Sequence, residues 1–331
     1  MTNTPFAKVL QNFFLQRLIN EKNASPQTIF AYRDTFRILF RFLHKETNRA
    51  PSDLTLEDLD SATILKFLDH LEAERRNSIA SRNARLAAIH SLFRYASYLE
   101  PASTEVIQRV LAIPRKRSDH PQVGFLSKEE VEAIISAPDV STWSGNRDHT
   151  MFMTLYNTGA RVSEIVALRT TDICMNKSAY VRIQGKGRKE RAIPLWTGTR
   201  RLIKGWLNYL NGDPNAFLFP NAQGKPLTRH GVGYRLRLTK DIAATKCPSL
   251  KGKNISPHCL RHSTAMHLLQ SGVDINVIAL WLGHESLSTT HIYLEADLAM
   301  KERVLKKLES PPAKYIRFRP SDRVLKFLDN L

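Results

Sequence analysis

The stretch SPHCLRHS, residues 256 to 263, sets a histidine and an arginine one helical turn apart behind a Ser-Pro helix start. Ser256 is a preferred N-cap and Pro257 suits the first helical position, so His258 and Arg261 fall in the opening turns and share a face. That face turns a titratable base and a fixed cation toward whatever binds there. Three more islands hold reactive types: TGARVSE (158–164), GKGRKER (185–191) and LGHESLSTTHIY (282–293). Each alone has a plainer reading. Arg161 can pair at the surface with Glu164 three residues on, and Lys186 can sit at a solvated hairpin tip. GKGRKER lacks the spacing of a nucleotide-binding P-loop. His258 and His262 have the spacing of a zinc pair, but no glutamate follows His258 and no third ligand stands nearby, so no metal is assigned. DINVIALWLGHESLSTTHIYL also reads as helix, tight turn, helix. In a helix-turn-helix regulator His284 and Tyr293 would be only turn and core residues.

The elements that must position these residues come in two groups. SPQTIFAYRDTFRILFRFLHKE opens on Ser25-Pro26 and repeats Ile29, Tyr32, Phe36, Leu39, Phe40 and Leu43 at helical spacing. TLEDLDSATILKFLDHLEAER starts a second helix with Thr55 as its cap, and SIASRNARLAAIHSLFRYASYLE carries Leu86, Ile89, Leu92, Phe93 and Ala96 at the same period. The result is a helical domain over 1–105. Its outward faces are expected to hold Arg33, Arg37, Arg41, Arg75, Arg76, Arg82 and Arg85, suited to phosphate contacts or to plain solvation. A basic, proline-bearing linker spans 106–124. The second domain, 125–310, is mixed. It restarts through a Ser127 to Glu130 capping box, folds YVRI and RAIPL into a hairpin, and continues with helices over 196–211 and from 228 onward. A tail over 311–331 ends in the short amphipathic run SDRVLKFLDNL.

Composition narrows the partner. Lysine and arginine number 49 against 31 aspartates and glutamates, a net charge of +18 over 331 residues. So large an excess favours a polyanion, nucleic acid first and an acidic membrane surface second. The start, MTNTPFAKVL, lacks the pattern of a secretion signal, and VIALWL is too short to span a bilayer. Three scattered cysteines, Cys174, Cys247 and Cys259, argue against a disulfide framework and fit a reducing, cytoplasmic setting, here beside the nucleoid.

In conjunction and in order, TGxRxSE, the GKGxKxR hairpin, HxLRH, LGH and a tyrosine nine residues beyond that histidine resemble the tyrosine recombinase family, also called the phage or lambda integrase family. The resemblance runs over most of the chain. It implies a mainly α fold with a small β-hairpin or sheet (α+β): a SAM-like core-binding domain and a catalytic domain forming a C-shaped clamp on DNA. It implies that Arg161 and Arg261 bind the scissile phosphate, that Lys186 protonates the departing 5′ oxygen and that His258 acts as general acid or base. His284 would bond the phosphate, Tyr293 would be the nucleophile, and Glu164 would orient Arg161. Further DNA-contact candidates are Arg33, Arg37, Arg82, Arg85, Arg188, Lys189 and Arg191.

Elementary chemistry agrees. A phosphodiester repels nucleophiles, and two guanidiniums with a lysine can stabilise the developing charge without metal or other cofactor. A phenol of pKa about 10 needs that field and a proton acceptor to attack. A covalent phosphotyrosyl link conserves bond energy, so no ATP is required. The expected partner is double-stranded DNA carrying recombination sites, met by a chain that is monomeric in solution and a homotetramer on DNA; no membrane is expected and accessory proteins stay unassigned. With a helical domain starting near residue 1, no arm-binding domain is expected, and one of two amphipathic runs after Tyr293, ADLAMKERVLKKLES and SDRVLKFLDNL, is expected to dock on a neighbouring protomer. The long basic tail favours a mobile-element integrase over a Xer-like resolvase. A type IB topoisomerase, sharing the chemistry, would act as a monomer.

Overall fold

The computed structural model describes residues 6–117, 124–185, 189–210, 213, 215–284 and 290. Lys186, Arg188, Tyr293 and the tail over 311–331, with their expected roles, lie outside the described residues. The chain divides into two compact units, Met1–Pro121 and Gln122–Leu331.

The first unit is all helical. Helix α1 (Phe6–Asn12) runs on into a wider, π-helical segment, Phe13–Glu21. Helix α2 (Pro26–Thr47) starts as the sequence predicts: the Thr28 N–H donates to Ser25 Oγ at 3.2 Å, and Pro26 takes the first position. Helix α3 (Ser61–Ala73) is capped by Asp60, helix α4 (Ile79–Ala96) by Ser78, and helix α5 (Thr104–Leu111) follows. Phe13, Phe36, Leu39, Phe67, Leu86 and Phe93 meet in one core.

Three sequence expectations need correction in this unit. The second predicted helix begins at Ser61 and not after Thr55, because Thr55 closes a local turn instead, donating through its N–H and hydroxyl to Asp58 Oδ2 at 2.8 and 3.1 Å. Thr104–Leu111, mostly assigned to the linker, is helical, and its Ile107 and Val110 are fully buried in the first core. Arg82 is not an exposed phosphate contact. Its side chain is 3% exposed, with Nε 3.1 Å from Glu72 Oε1, an ion pair not aligned for a hydrogen bond. Its Nη1 donates to Asn83 Oδ1 and to Pro114 O, while Asn83 Nδ2 donates to Lys116 O, so the pair ties down the chain leaving α5. Arg85 is half-buried and bonded to Thr35 Oγ1 and Ala31 O, whereas Arg33 and Arg37 are exposed.

The second unit restarts at helix α6 (Lys128–Ser136) through the expected capping box: Glu130 N–H donates to Ser127 Oγ and Ser127 N–H to Glu130 Oε2. Helices α7 (Trp143–Thr158) and α8 (Val162–Ile165) lead to an antiparallel sheet of β1 (Ile173–Cys174), β2 (Tyr180–Gln184) and β3 (Glu190–Pro194). The expected hairpin is β2–β3, with Val181 opposite Ile193 and Ile183 opposite Arg191; β1 is too short to announce itself in sequence. Helices α9 (Thr197–Leu207), α10 (Arg229–Lys246), α11 (Pro257–Gln270) and α12 (Ile275–Leu282) complete the unit. Phe152, Leu155, Val181, Ile193, Trp206 and Leu260 share its core. Among the described residues no helix is long and apolar enough to cross a membrane.

Candidate active site

The site begins where α7 ends. Gly159 takes the left-handed conformation (φ +59°), and a Cβ there would fall 2.4 Å from Leu282 Cδ2, so the turn is reserved for glycine. Two residues later Arg161 opens α8. Glu164 reaches back to it: the Arg161 N–H donates to Oε2 at 2.8 Å and guanidinium Nη1 to Oε1 at 2.9 Å. Glu164 therefore holds Arg161 by both its backbone and its guanidinium.

The C-terminus of α12 gathers the cations. Three successive carbonyls each accept from a different arginine: Trp281 O from Arg191 Nε (2.9 Å), Leu282 O from Arg261 Nη2 (2.8 Å) and Gly283 O from Arg161 Nη2 (3.2 Å). These arginines come from β3, α11 and the start of α8, and the negative end of a helix dipole favours them there. Arg261 is 3% exposed and also donates from Nη1 to Gly159 O at 2.6 Å, joining the two glycine turns. Gly283 is left-handed (φ +67°), and the His284 N–H folds back to Ala279 O, which fixes the backbone of His284 just past the helix.

Three histidines surround these arginines. His258 and His262 stack along α11 with ring centroids 5.9 Å apart. Pro257 occupies the first position of α11 as expected, but Ser256 makes no side-chain cap; its Oγ lies 3.5 Å from Cys259 Sγ. Burial, then Arg261 and Arg161, lower the pKa of His258. Burial, then His258 and Arg261, bring His262 down to about 4. His284 also falls to about 4, through burial first and then Arg261, Arg161, His262 and Arg191. At neutral pH all three are uncharged. His284 Nδ1 lies 2.7 Å from Thr290 Oγ1; when that hydroxyl donates, Nε2 carries the proton and is a donor. Burial would raise the Glu164 carboxyl, but the hydrogen bond and charge of Arg191, followed by Arg161, hold it below the usual range.

Of the predicted site residues, the structure brings Arg161, Glu164, Arg261, His258 and His284 together. Lys189 is exposed at the mouth of the hairpin, where its carbonyl accepts from Gly185 N–H at 2.8 Å. Arg191 overturns its expectation as a DNA contact. Its side chain is 11% exposed and turned inward, with Nη2 on Glu164 Oε2 at 2.7 Å and Nη1 on Oε1 at 3.3 Å. The signal was available in strand alternation: Arg191 stands two residues before buried Ile193 and so shares its face.

Residues 124–300 match the phage integrase family, and residues 12–98 match the phage integrase N-terminal SAM-like domain. A putative integrase/recombinase, y4rC, of Sinorhizobium fredii is 49% identical over 98% of both chains. Tyrosine recombinase XerD of Pasteurella multocida is 34% identical over 86% of this chain and 92% of its own. The XerH site-specific recombinase, solved as a post-cleavage complex with a palindromic difH substrate, superposes with TM-score 0.66 at 24% identity, over 86% of this chain and 81% of that one. The chain belongs to the phage integrase family of tyrosine recombinases, enzymes of DNA strand transfer.

Proposed function

We propose that the chain is a site-specific recombinase that cuts and rejoins duplex DNA through a 3′-phosphotyrosyl intermediate and a Holliday junction, working as a tetramer on paired sites. The observation that carries this reading is the convergence of Arg161 and Arg261 on the C-terminal turn of α12, with His284 just past the turn and His258 beside both arginines. Two guanidiniums and a neutral imidazole donor make a receptacle for one phosphate. In the first step the Tyr293 phenol oxygen attacks phosphorus, giving up its proton, and the bond to the 5′ oxygen breaks. Lys186 gives a proton to the departing oxygen, and His258, uncharged at neutral pH, accepts the phenolic proton. Attack by the 5′-hydroxyl of the partner strand reverses these moves and releases the tyrosine.

Full-length similarity to an integrase/recombinase at 49% identity, against 34% for a XerD, supports a mobile-element integrase over a chromosome-dimer resolvase. A DNA substrate fits a cytoplasmic setting, at the nucleoid. The test is a covalent trap: wild type and Tyr293→Phe are incubated with nicked DNA from the flanks of the gene locus and resolved under denaturing conditions. The expected result is a stable adduct with wild type only, while both proteins bind the DNA. Tight binding by both with no adduct from either would overturn the catalytic reading in favour of a regulator.

A further inference from the structure

Arg191 donates from Nε to Trp281 O and from Nη1 and Nη2 to Glu164. Glu164 is 5% exposed and carries one negative charge between two guanidiniums. A carboxylate with a single arginine partner draws that arginine into a two-pronged pair. Here Arg191 takes Oε2 at 2.7 Å and Oε1 at 3.3 Å, and the Arg161 backbone N–H takes Oε2 at 2.8 Å, so guanidinium Nη1 of Arg161 meets only Oε1, at 2.9 Å. With two cations on one anion, the group keeps a net positive charge. The same guanidinium holds Trp281 O through Nε, so one side chain fixes both the carboxylate behind Arg161 and the turn leading to His284. Room is kept for it by a glycine: a Cβ on Gly283 would lie 2.9 Å from Arg191 Nη1.

We propose that Arg191 is a positioning residue of strand transfer: by satisfying Glu164 and anchoring the end of α12, it reserves the charge and the free side of Arg161 for the scissile phosphate. This rests on the reading of the site given under Proposed function. Arg191 acts through Arg161, whose task is to neutralise a charged phosphate. Its removal therefore matters most when that phosphate is charged.

The experiment compares wild type, Arg191→Met and Arg191→Lys in covalent adduct formation on two substrates, one ordinary and one with the scissile phosphate replaced by an uncharged methylphosphonate. Thermal melting and DNA affinity are measured alongside. On ordinary DNA, Arg191→Met is expected to slow adduct formation by roughly tenfold to a hundredfold, the scale set by misplacing a reacting partner. On the methylphosphonate the loss is expected to shrink to within about threefold, with DNA affinity unchanged on both. Arg191→Lys, which keeps the charge but cannot hold Glu164 and Trp281 O at once, should fall between. An equal loss on both substrates for both variants would mean a merely structural residue and would overturn the assignment, as would no loss on either. Absence of adducts from wild type on both substrates would instead remove the functional reading, and this assignment with it.

Discussion

Gly283→Ala separates backbone strain from side-chain crowding at the heart of the site. Gly283 and Gly272 both end helices in the left-handed region, at φ +67° and +86°. Alanine at either position meets a left-handed penalty of about 1–2 kcal/mol, a fall in melting temperature of roughly 2–8 °C for a unit of this size. The two differ in what a new methyl meets. At Gly272 nothing lies within 4 Å, whereas at Gly283 the methyl falls 2.9 Å from Arg191 Nη1, 3.2 Å from Cζ and 3.3 Å from Cδ. The guanidinium cannot swing aside without giving up a bond to Glu164 or to Trp281 O. A hydrogen bond of this charged kind contributes about 1.5–3 kcal/mol, so Gly283→Ala should exceed Gly272→Ala in destabilisation by that amount. Calorimetry on the full chain gives the difference directly, and the covalent-trap assay should show slowed adduct formation for Gly283→Ala alone. Equal melting shifts and equal adduct rates for the two variants would refute the argument that Arg191 is wedged against this turn.

Further outcomes follow from the same structure. Arg82→Ala removes the donor to Pro114 O, while Glu72 keeps Lys116 at 2.9 Å, and is expected to destabilise the protein by roughly 1–3 kcal/mol, read as a lowered melting temperature. Arg37→Ala, at an exposed position, should leave melting unchanged and reduce the slope of log affinity against log salt by about one if it meets a phosphate; a melting loss there would contradict its placement. His262 and His284 have pKa values of about 4 against an ordinary 6.5, so between those values the unfolded chain binds protons that the folded chain refuses. Stability is then level above about pH 6.5 and falls as pH drops toward 4. Melting scans from pH 7.5 to 4.5 should show that decline, and His262→Asn should shallow it; a profile unchanged by the substitution would count against the buried neutral imidazole.

Much of this protein was legible from short stretches. Ser25 and the Ser127–Glu130 box set helix starts because a cap closes over three residues, with every partner supplied locally. The β2–β3 hairpin announced itself by two β-prone runs around a glycine-rich turn. The types and order of Arg161, His258, Arg261 and His284 pointed to phosphate chemistry before any fold was in view. What the sequence left undecided was where each arginine head turns. A guanidinium sits at the end of a long flexible stem, so the same residue can face solvent or the interior, and the choice depends on which acceptors the fold delivers to it. Arg82 turns to Glu72 and Pro114 O, Arg191 to Glu164 and Trp281 O, and Arg261 to Gly159 O and Leu282 O. Those acceptors lie ten to about a hundred residues away along the chain, so strand alternation marks the inward face of Arg191 but no local pattern names its partners, and only tertiary packing brings the end of α12 beneath three arginines at once.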